Sequence, residues 1–264
     1  MSELINTTNV PYIPLRGQVF FPDTIVGFDI GRDKSIAAVD AAMNGDKYLV
    51  VSAQRDAGIS DPTQEDCYMT GVHLKIQSVV KKNEEYERIL VSVGSRVRIS
   101  NIYDCGEMLT CDYEDAVDND NDPEDVILEA NVRVLVQMFY KYLEMSGIND
   151  SSARALLDGV QNAAVLCNII ANELDVSYDV KQTLLDIDSV RMRIEHLIDI
   201  IGKENQILAI SKRIKIAYNV GEQNHQPRVS AGPGAASGQR RGEDQRGAAS
   251  GDRRWRAGAA GREI

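Results

Sequence analysis

The sequence predicts an α+β fold: an antiparallel, β-rich domain followed by an all-α domain that ends in a long helix. Up to about residue 117, apolar residues form short runs or alternate with polar ones, as in 94–99, which is the period of a strand. Beyond the acidic stretch 115–125, apolar residues recur at three and four positions, as in Leu128, Val132 and Leu135. That is the period of an amphipathic helix, so the type of secondary structure changes near residue 118.

The stretch 10–32 organises the β-rich part. Three prolines and three glycines divide it into short apolar runs, so no helix can pass through it. We predict two strands here, joined by a fixed corner at Phe21-Pro22. The segment 33–43 then has good helix formers and ends at Asn44-Gly45, which predicts one helix packed on the strands.

The remaining strands follow from short apolar runs and from alternation. Residues 86–93 return along 71–79 after the polar turn 81–85, which predicts a hairpin. In 94–99 the alternation points valine and isoleucine inward, and it predicts Arg96 and Arg98 on the solvated face of an edge strand. The predicted strands after the first helix are 48–53, 71–79, 86–93, 94–99 and 109–114.

The helical part is predicted to begin at Asp122-Pro123, as N-cap and first helical position, and its first helix is predicted to end at Gly147. In the last helix, which begins at Asp188, apolar residues follow one stripe from Val190 to Leu208. This stripe is interpreted as core, although the helix is long enough for its far end to leave the domain and pair elsewhere. The shorter helices between these two are predicted over 151–159, 163–174 and 177–186.

The C-terminal segment has a different composition. From Pro227 onward it contains eight Gly, eight Ala and eight Arg but no Lys, too little apolar surface to offset the entropy of ordering. It is predicted to be disordered. Either an RNA-binding Arg/Gly tail or a stretch translated out of frame would have this composition. The predicted domains are 1–117 (β-rich), 118–217 (helical) and 218–264 (disordered tail).

Composition excludes several functional classes. The chain has 264 residues and a net charge of −11, from 29 basic and 40 acidic residues, which opposes binding to nucleic acid or anionic membranes. No apolar run approaches the ~20 residues of a membrane helix, and the N-terminus resembles no signal peptide. The four cysteines have no metal-ligand spacing, which predicts reduced thiols, no metal site and a cytoplasmic protein.

The order of short motifs resembles the N-terminal region of Lon proteases over about 10–217. The opening stretch combines Pro14-Leu15-Arg16, the Phe21-Pro22 corner and a strand that closes in Gly31-Arg32. Asp23 stands where that family usually has glycine. Further matching pieces follow in the same order: 30–35, 49–56, 61–66, 71–72, 94–99 and 208–214. The resemblance implies a PUA-like β-rich domain and a helical domain that recognise unfolded or damaged proteins and pass them to an AAA+ motor with a Ser-Lys protease.

The motifs of a motor or a protease are missing from this sequence. There is no Gly-x-x-x-x-Gly-Lys-Ser/Thr and no context for a Ser-Lys dyad, so no catalytic residue can be assigned and no ATPase or peptidase activity is expected. The resemblance implies a Lon truncated before these domains, and ATP and Mg²⁺ would belong to the missing motor. The implied partners are unfolded proteins and other Lon subunits. Two alternatives stay open: a stand-alone adaptor or binding module, and an RNA-binding protein that uses the barrel and the tail.

The candidate substrate-binding residues lie in the opening stretch and at the start of the first helix. Phe20 and Phe21 would supply apolar surface, with Arg32 and Lys34 beside them. The alternative is that both rings belong only to the core. No cofactor-binding or metal-binding residue is predicted.

Overall fold

Six strands, most of them antiparallel, form a mixed sheet at the N-terminal end, and helices follow. The structure, a computed structural model, describes residues 7–81, 87–147, 155 and 157–223, with side chains placed as far as 215 except at 81 and 87. The strands are β1 (Thr7–Leu15), β2 (Ile25–Ile30), β3 (Tyr48–Ala53), β4 (Thr70–Lys81), β5 (Glu87–Asp104) and β6 (Leu109–Asp115). The helices are α1 (Asp33–Asn44), α2 (Val126–Ser146), α3 (Ala163–Glu173), α4 (Tyr178–Asp186) and α5 (Val190–Gln223).

The sheet closes on itself. Its strand order is β2-β5-β4-β3-β1-β6, and β5 also pairs with β6, so β1, β3, β4, β5 and β6 form a barrel with β2 added along β5. The α+β class is confirmed, but the prediction of a purely antiparallel sheet is wrong for one pair, because β1 and β3 are parallel. The chain passes through β2 and α1 between these strands, and α1 is the crossover that a parallel pair requires.

The predicted hairpin is confirmed, with a longer second strand. Residues 86–93 and 94–99 were predicted as separate strands, yet 87–99 run without a break in β5, and residue 86 lies outside the described residues. A Cβ at Gly94 would lie 3.2 Å from the carbonyl oxygen of His73, beside a β-bulge in β4. Glycine therefore marks a close backbone approach inside the strand and does not end it. Most of the predicted turn 81–85 lies outside the described residues.

Asp23, which stands where the resembled family usually has glycine, adopts a left-handed backbone conformation with φ of 63°. Glycine enters this region without steric cost, whereas Asp is one of the few other residues that tolerates it. The turn is held by the Asp23 N–H, which donates to the carbonyl of Val93 at 3.1 Å, and by the Thr24 hydroxyl, which donates to the carbonyl of Phe21 at 2.6 Å. The fixed corner between β1 and β2 therefore needs this conformation.

Gly71 lies where β4 passes β3 too closely for any side chain. An added Cβ would stand 2.2 Å from the carbonyl oxygen of Val51 and 3.0 Å from the Cβ of Ser52. We expect Gly71→Ala to lower the free energy of unfolding by about 2 kcal/mol, because one of two paired strands must move. Urea denaturation followed by circular dichroism measures this loss. Gly27→Ala, whose Cβ has only ordinary contacts at 3.5 Å, is the control, and equal stability of the two variants would contradict the expectation.

Helix α2 begins three residues later than predicted. Its N-cap is Asp125, whose side chain accepts hydrogen bonds from the N–H groups of Ile127 and Leu128. Asp122 instead caps the preceding turn, where its side chain accepts from the N–H of Glu124 at 3.0 Å. The predicted end is confirmed, because Gly147 ends the helix in the left-handed conformation.

The predicted helices 163–174 and 177–186 are confirmed as α3 and α4, whereas 151–159 lies mostly outside the described residues. The apolar stripe of α5 is buried in its first half, where Val190, Ile194, Leu197 and Ile201 are inaccessible to solvent. The helix continues to Gln223, six residues beyond the predicted domain end at 217. The predicted disordered tail lies outside the described residues from 224 onward.

The described residues up to Asn219 belong to one compact unit. A single apolar cluster runs from residues of the sheet such as Phe28 and Leu74 to helical residues such as Phe139 and Ile170. A second, smaller cluster around Tyr12 and Cys111 lies on the opposite face of the sheet, because Tyr12 alternates along β1 with Ile13 of the first cluster. The division near residue 117 stays a prediction from the sequence.

The prediction that Arg96 is solvated is wrong, because its side chain is 2% exposed. Its guanidinium pairs with Asp118 at 2.8 Å and with Asp188 at 3.2 Å, and it donates to the carbonyl of Leu185 at 2.8 Å. Strand β5 is not at an edge here, since β4 and β6 flank it, and residues that follow the barrel cover its outer face. Arg193 of α5 is also buried and shares Asp118 at 2.7 Å, so these charges connect the barrel to the helices.

Candidate functional site

The two candidate rings lie in the protein core. Phe21 is inaccessible to solvent and Phe20 is 7% exposed. The Phe20 ring packs against Phe28 of β2 with ring centroids 5.1 Å apart. The alternative that the sequence left open, a core role, accounts for this burial. Phe20 still lines one wall of a surface groove, whereas Phe21 reaches none of the described grooves.

Arg32 holds a neighbouring loop in place. Its guanidinium donates to the carbonyl of Pro14 at 3.2 Å, to the carbonyl of Ile59 at 3.3 Å and to the side chain of Gln54. Burial, together with the nearby positive charge of Arg16, lowers the pKa of Arg32. Two cations therefore stand close together at the end of β1, and their mutual repulsion would be relieved by an anionic group.

Lys34 is already paired with two carboxylates. Its Nζ lies 2.8 Å from Asp104 and 3.0 Å from Asp61. These hydrogen bonds raise the pKa of Lys34. Both carboxylates are largely exposed, so the pairs are solvent-screened and contribute little stability. The structure thus places Arg32 and Lys34 next to each other but gives Lys34 a local bridging role between the loop at Asp61 and the end of β5.

Two grooves flank strand β2, and together they form the β2 groove. The first, about 380 Å³, lies between the end of β1 and residues 28–32, and the second, about 320 Å³, lies beside Val26 and Gly27. Gln18 lines both, so they are adjacent. The walls of the first combine polar side chains with five apolar residues: Ile13, Pro14, Leu15, Phe28 and Ile30.

The second groove has one wall from the barrel and one from the helices. Tyr178 and Lys181 of α4 face Phe20 and Val26 across it. The Tyr178 hydroxyl donates to the carbonyl of Arg55 at 3.0 Å, which fixes α4 against the barrel. Burial lowers the pKa of Lys181, whose amino group donates to the carbonyl of Asn172 at 3.0 Å. No pattern in the sequence pointed to these residues, because only the tertiary fold brings α4 next to β2.

Chemistry of a reaction centre is not evident among the described residues. No group of three or more metal-ligating side chains occurs in that part of the chain. Cys67, Cys111 and Cys167 are free and buried, and burial raises the pKa of Cys111 and of Cys167 to about 12, which makes both poor nucleophiles. None of the helices in the described part of the chain is both long and apolar enough to cross a membrane.

Comparisons with known proteins identify related sequences. Residues 9–203 match the family model of the ATP-dependent protease La (LON) substrate-binding domain. The chain is 30% identical over 207 residues to Lon protease of Clostridium acetobutylicum and 31% identical over 210 residues to Lon protease of Clostridioides difficile. Each alignment covers 78% of this chain, and the chain spans about a quarter of the length of these relatives, 26% and 27%.

Solved structures give the same fold. The N-terminal domain of Mycobacterium avium complex Lon protease matches with a TM-score of 0.56 and 19% identity, over 74% of this chain and 98% of that one. A Lon N-terminal domain protein from Xanthomonas campestris matches with a TM-score of 0.50 and 18% identity, over 73% of this chain and 98% of that one. At these identities the likeness supports the β-rich and helical architecture alone.

Proposed function

The chain belongs to the family of Lon substrate-binding domains, and on that premise we propose that it binds unfolded or damaged proteins for degradation by a Lon-type ATP-dependent protease. The observation that carries this proposal is the match of residues 9–203 to that domain. Catalysis would belong to other domains, as would ATP and Mg²⁺. Other Lon subunits are proposed as further partners.

The surface of the domain suits this role. Unfolded polypeptide differs from folded protein in its exposed apolar side chains and unpaired backbone groups. The β2 groove offers apolar walls at Ile13, Leu15, Phe28 and Ile30 together with an edge strand. Such a site binds through shape and backbone hydrogen bonds and needs no reactive side chain.

The test compares one polypeptide in two states. Lysozyme, native or reduced and capped with iodoacetamide, is labelled with fluorescein and titrated with the chain while fluorescence anisotropy is recorded. We expect saturable binding of the unfolded form at least tenfold tighter than of the native form. The neutral cap matters because added negative charges on the probe would change its electrostatic interaction with a chain of net charge −11. Equal affinity for the two forms, or no saturable binding of either, would overturn the proposal.

A further inference from the structure

Strand β2 has a free edge. It pairs with β5 along one side, and no other described strand pairs with it. The Val93 N–H donates to the carbonyl of Thr24 at 2.9 Å, so the backbone groups of Thr24 point toward β5. Since backbone groups in an antiparallel ladder point alternately toward and away from the partner, those of Ile25 and Gly27 point away from β5. Exposed backbone groups in this arrangement are a template for a further strand.

The β2 groove runs beside this edge. Side chains of a strand alternate, so one that pairs with β2 would direct every second side chain into the groove. The two parts of the groove, about 380 and 320 Å³, are each large enough for apolar side chains. Ile25, at the start of β2, is 71% exposed and would contact a residue of the added strand on the outer face.

The charges of the groove select among peptides. Its lining carries three cations, Arg16, Arg32 and Lys181, and one acid, Asp29. This local excess of positive charge lies in a chain with a net charge of −11. A segment with an acidic residue is therefore favoured over a basic one by these local cations, whereas the net negative charge of the whole chain acts in the opposite sense at longer range.

We propose that an extended segment of an unfolded polypeptide, with alternate apolar side chains and an acidic residue, adds to β2 as a strand and fills the β2 groove. This inference rests on the proposed function and specifies how the substrate is held. Main-chain hydrogen bonds at Ile25 and Gly27 supply affinity for any extended chain, and the groove supplies preference for apolar residues. Folded proteins are rejected because their backbone groups are already paired.

Substitution of Gly27 tests the backbone contact. Proline removes the Gly27 N–H, which points away from β5, so the β2–β5 hydrogen bonds stay intact. The probe is a fluorescein-labelled synthetic peptide of about ten residues in which valine alternates with serine and one position is glutamate. We expect Gly27→Pro to weaken peptide binding at least tenfold. Gly27→Ala keeps the N–H and serves as the matched control, with affinity within twofold of the unchanged chain.

Two changes to the peptide test the same contacts. Methylation of alternate backbone nitrogens along one edge of the peptide removes its donors without changing its side chains, and we expect at least tenfold weaker binding. Replacement of its glutamate by lysine should weaken binding severalfold at low salt and less at high salt. Unchanged affinity of the methylated peptide would overturn strand addition.

Controls separate this inference from its premise. If Gly27→Pro fails to fold by circular dichroism, Ile25→Pro at the first position of β2 replaces it, with Ile25→Ala as its control. A folded proline variant that binds the peptide as tightly as its alanine control does would overturn strand addition. So would a dimer of the unchanged chain that the proline substitution disrupts, because the edge of β2 would then pair with a second copy. Unfolded lysozyme that still binds the proline variant fully would leave the proposed function intact, whereas failure of the unchanged chain to bind it overturns both.

Discussion

Asp118→Asn is expected to lower the free energy of unfolding by about 3 kcal/mol, because this one carboxylate pairs with two buried arginines. Arg193 is 1% exposed and pairs with no other acid among the described residues, and Arg96 is 2% exposed. Asparagine keeps the shape of the side chain and removes only its charge. Two guanidiniums would then remain inside the protein with the partial compensation of Asp188.

The measurement is urea denaturation followed by circular dichroism at neutral pH. Glu129→Gln is the matched control, because its pair with Arg133 is exposed on α2 and contributes only about 0.3–0.5 kcal/mol. If the two variants lost similar stability, the buried charges would not be what connects barrel and helices. A larger change in the denaturant slope for Asp118→Asn would indicate that the helices separate from the barrel before it unfolds.

The same buried charges make the stability of the protein fall at acidic pH. Burial alone would raise the pKa of Asp188, but the guanidiniums of Arg98 and Arg96 outweigh it and hold that pKa below its usual value. The stabilisation is therefore complete above the unfolded pKa of about 3.9, and it is lost as the pH falls through the lower folded value. Asp125 is the N-cap of α2 and pairs with Arg191. Burial alone would raise its pKa, but hydrogen bonds from backbone N–H groups and the charge of Arg191 outweigh burial and lower that pKa, so its protonation adds to the loss of stability at low pH.

The sequence predicted secondary structure well, but it predicted poorly which side chains are covered by other parts of the fold. The alternation in 94–99 identified a strand and the direction of Val97 and Ile99, both of which are buried. It also predicted a solvated Arg96, because period alone cannot show that a second layer covers the outer face of a strand. Asp118 and Asp188 lie 22 and 92 residues from Arg96, so no local pattern connects them.

The candidate site shows the same limit. Arg32 was predicted at the site and does line the β2 groove, whereas Lys34 is occupied by Asp61 and Asp104. The free edge of β2 depends on which strands become neighbours, and the contribution of Lys181 depends on the packing of α4. Both are properties of tertiary arrangement. A strand such as Ile25–Ile30 can be recognised from its sequence, but its position at the edge of the sheet cannot.

Phe21→Ala is expected to lower the free energy of unfolding by about 4 kcal/mol, a large part of the ~5–15 kcal/mol that stabilises a typical domain. The ring is inaccessible to solvent and lies in the main apolar cluster, so alanine leaves a cavity at the corner between β1 and β2. Ile25→Ala, at a 71% exposed position four residues away, should cost under about 0.5 kcal/mol.

The same variant separates the two roles considered for the ring. If Phe21 is only a core residue, Phe21→Ala should be unstable, yet the fraction of this variant that is folded at low temperature should bind unfolded lysozyme with unchanged affinity. A residue that contacts substrate would give the opposite result, with normal stability and weaker binding. Thermal melts and anisotropy titrations of one preparation measure both quantities. Because no atom of Phe21 reaches solvent or lines the β2 groove, we expect the loss to appear in stability alone.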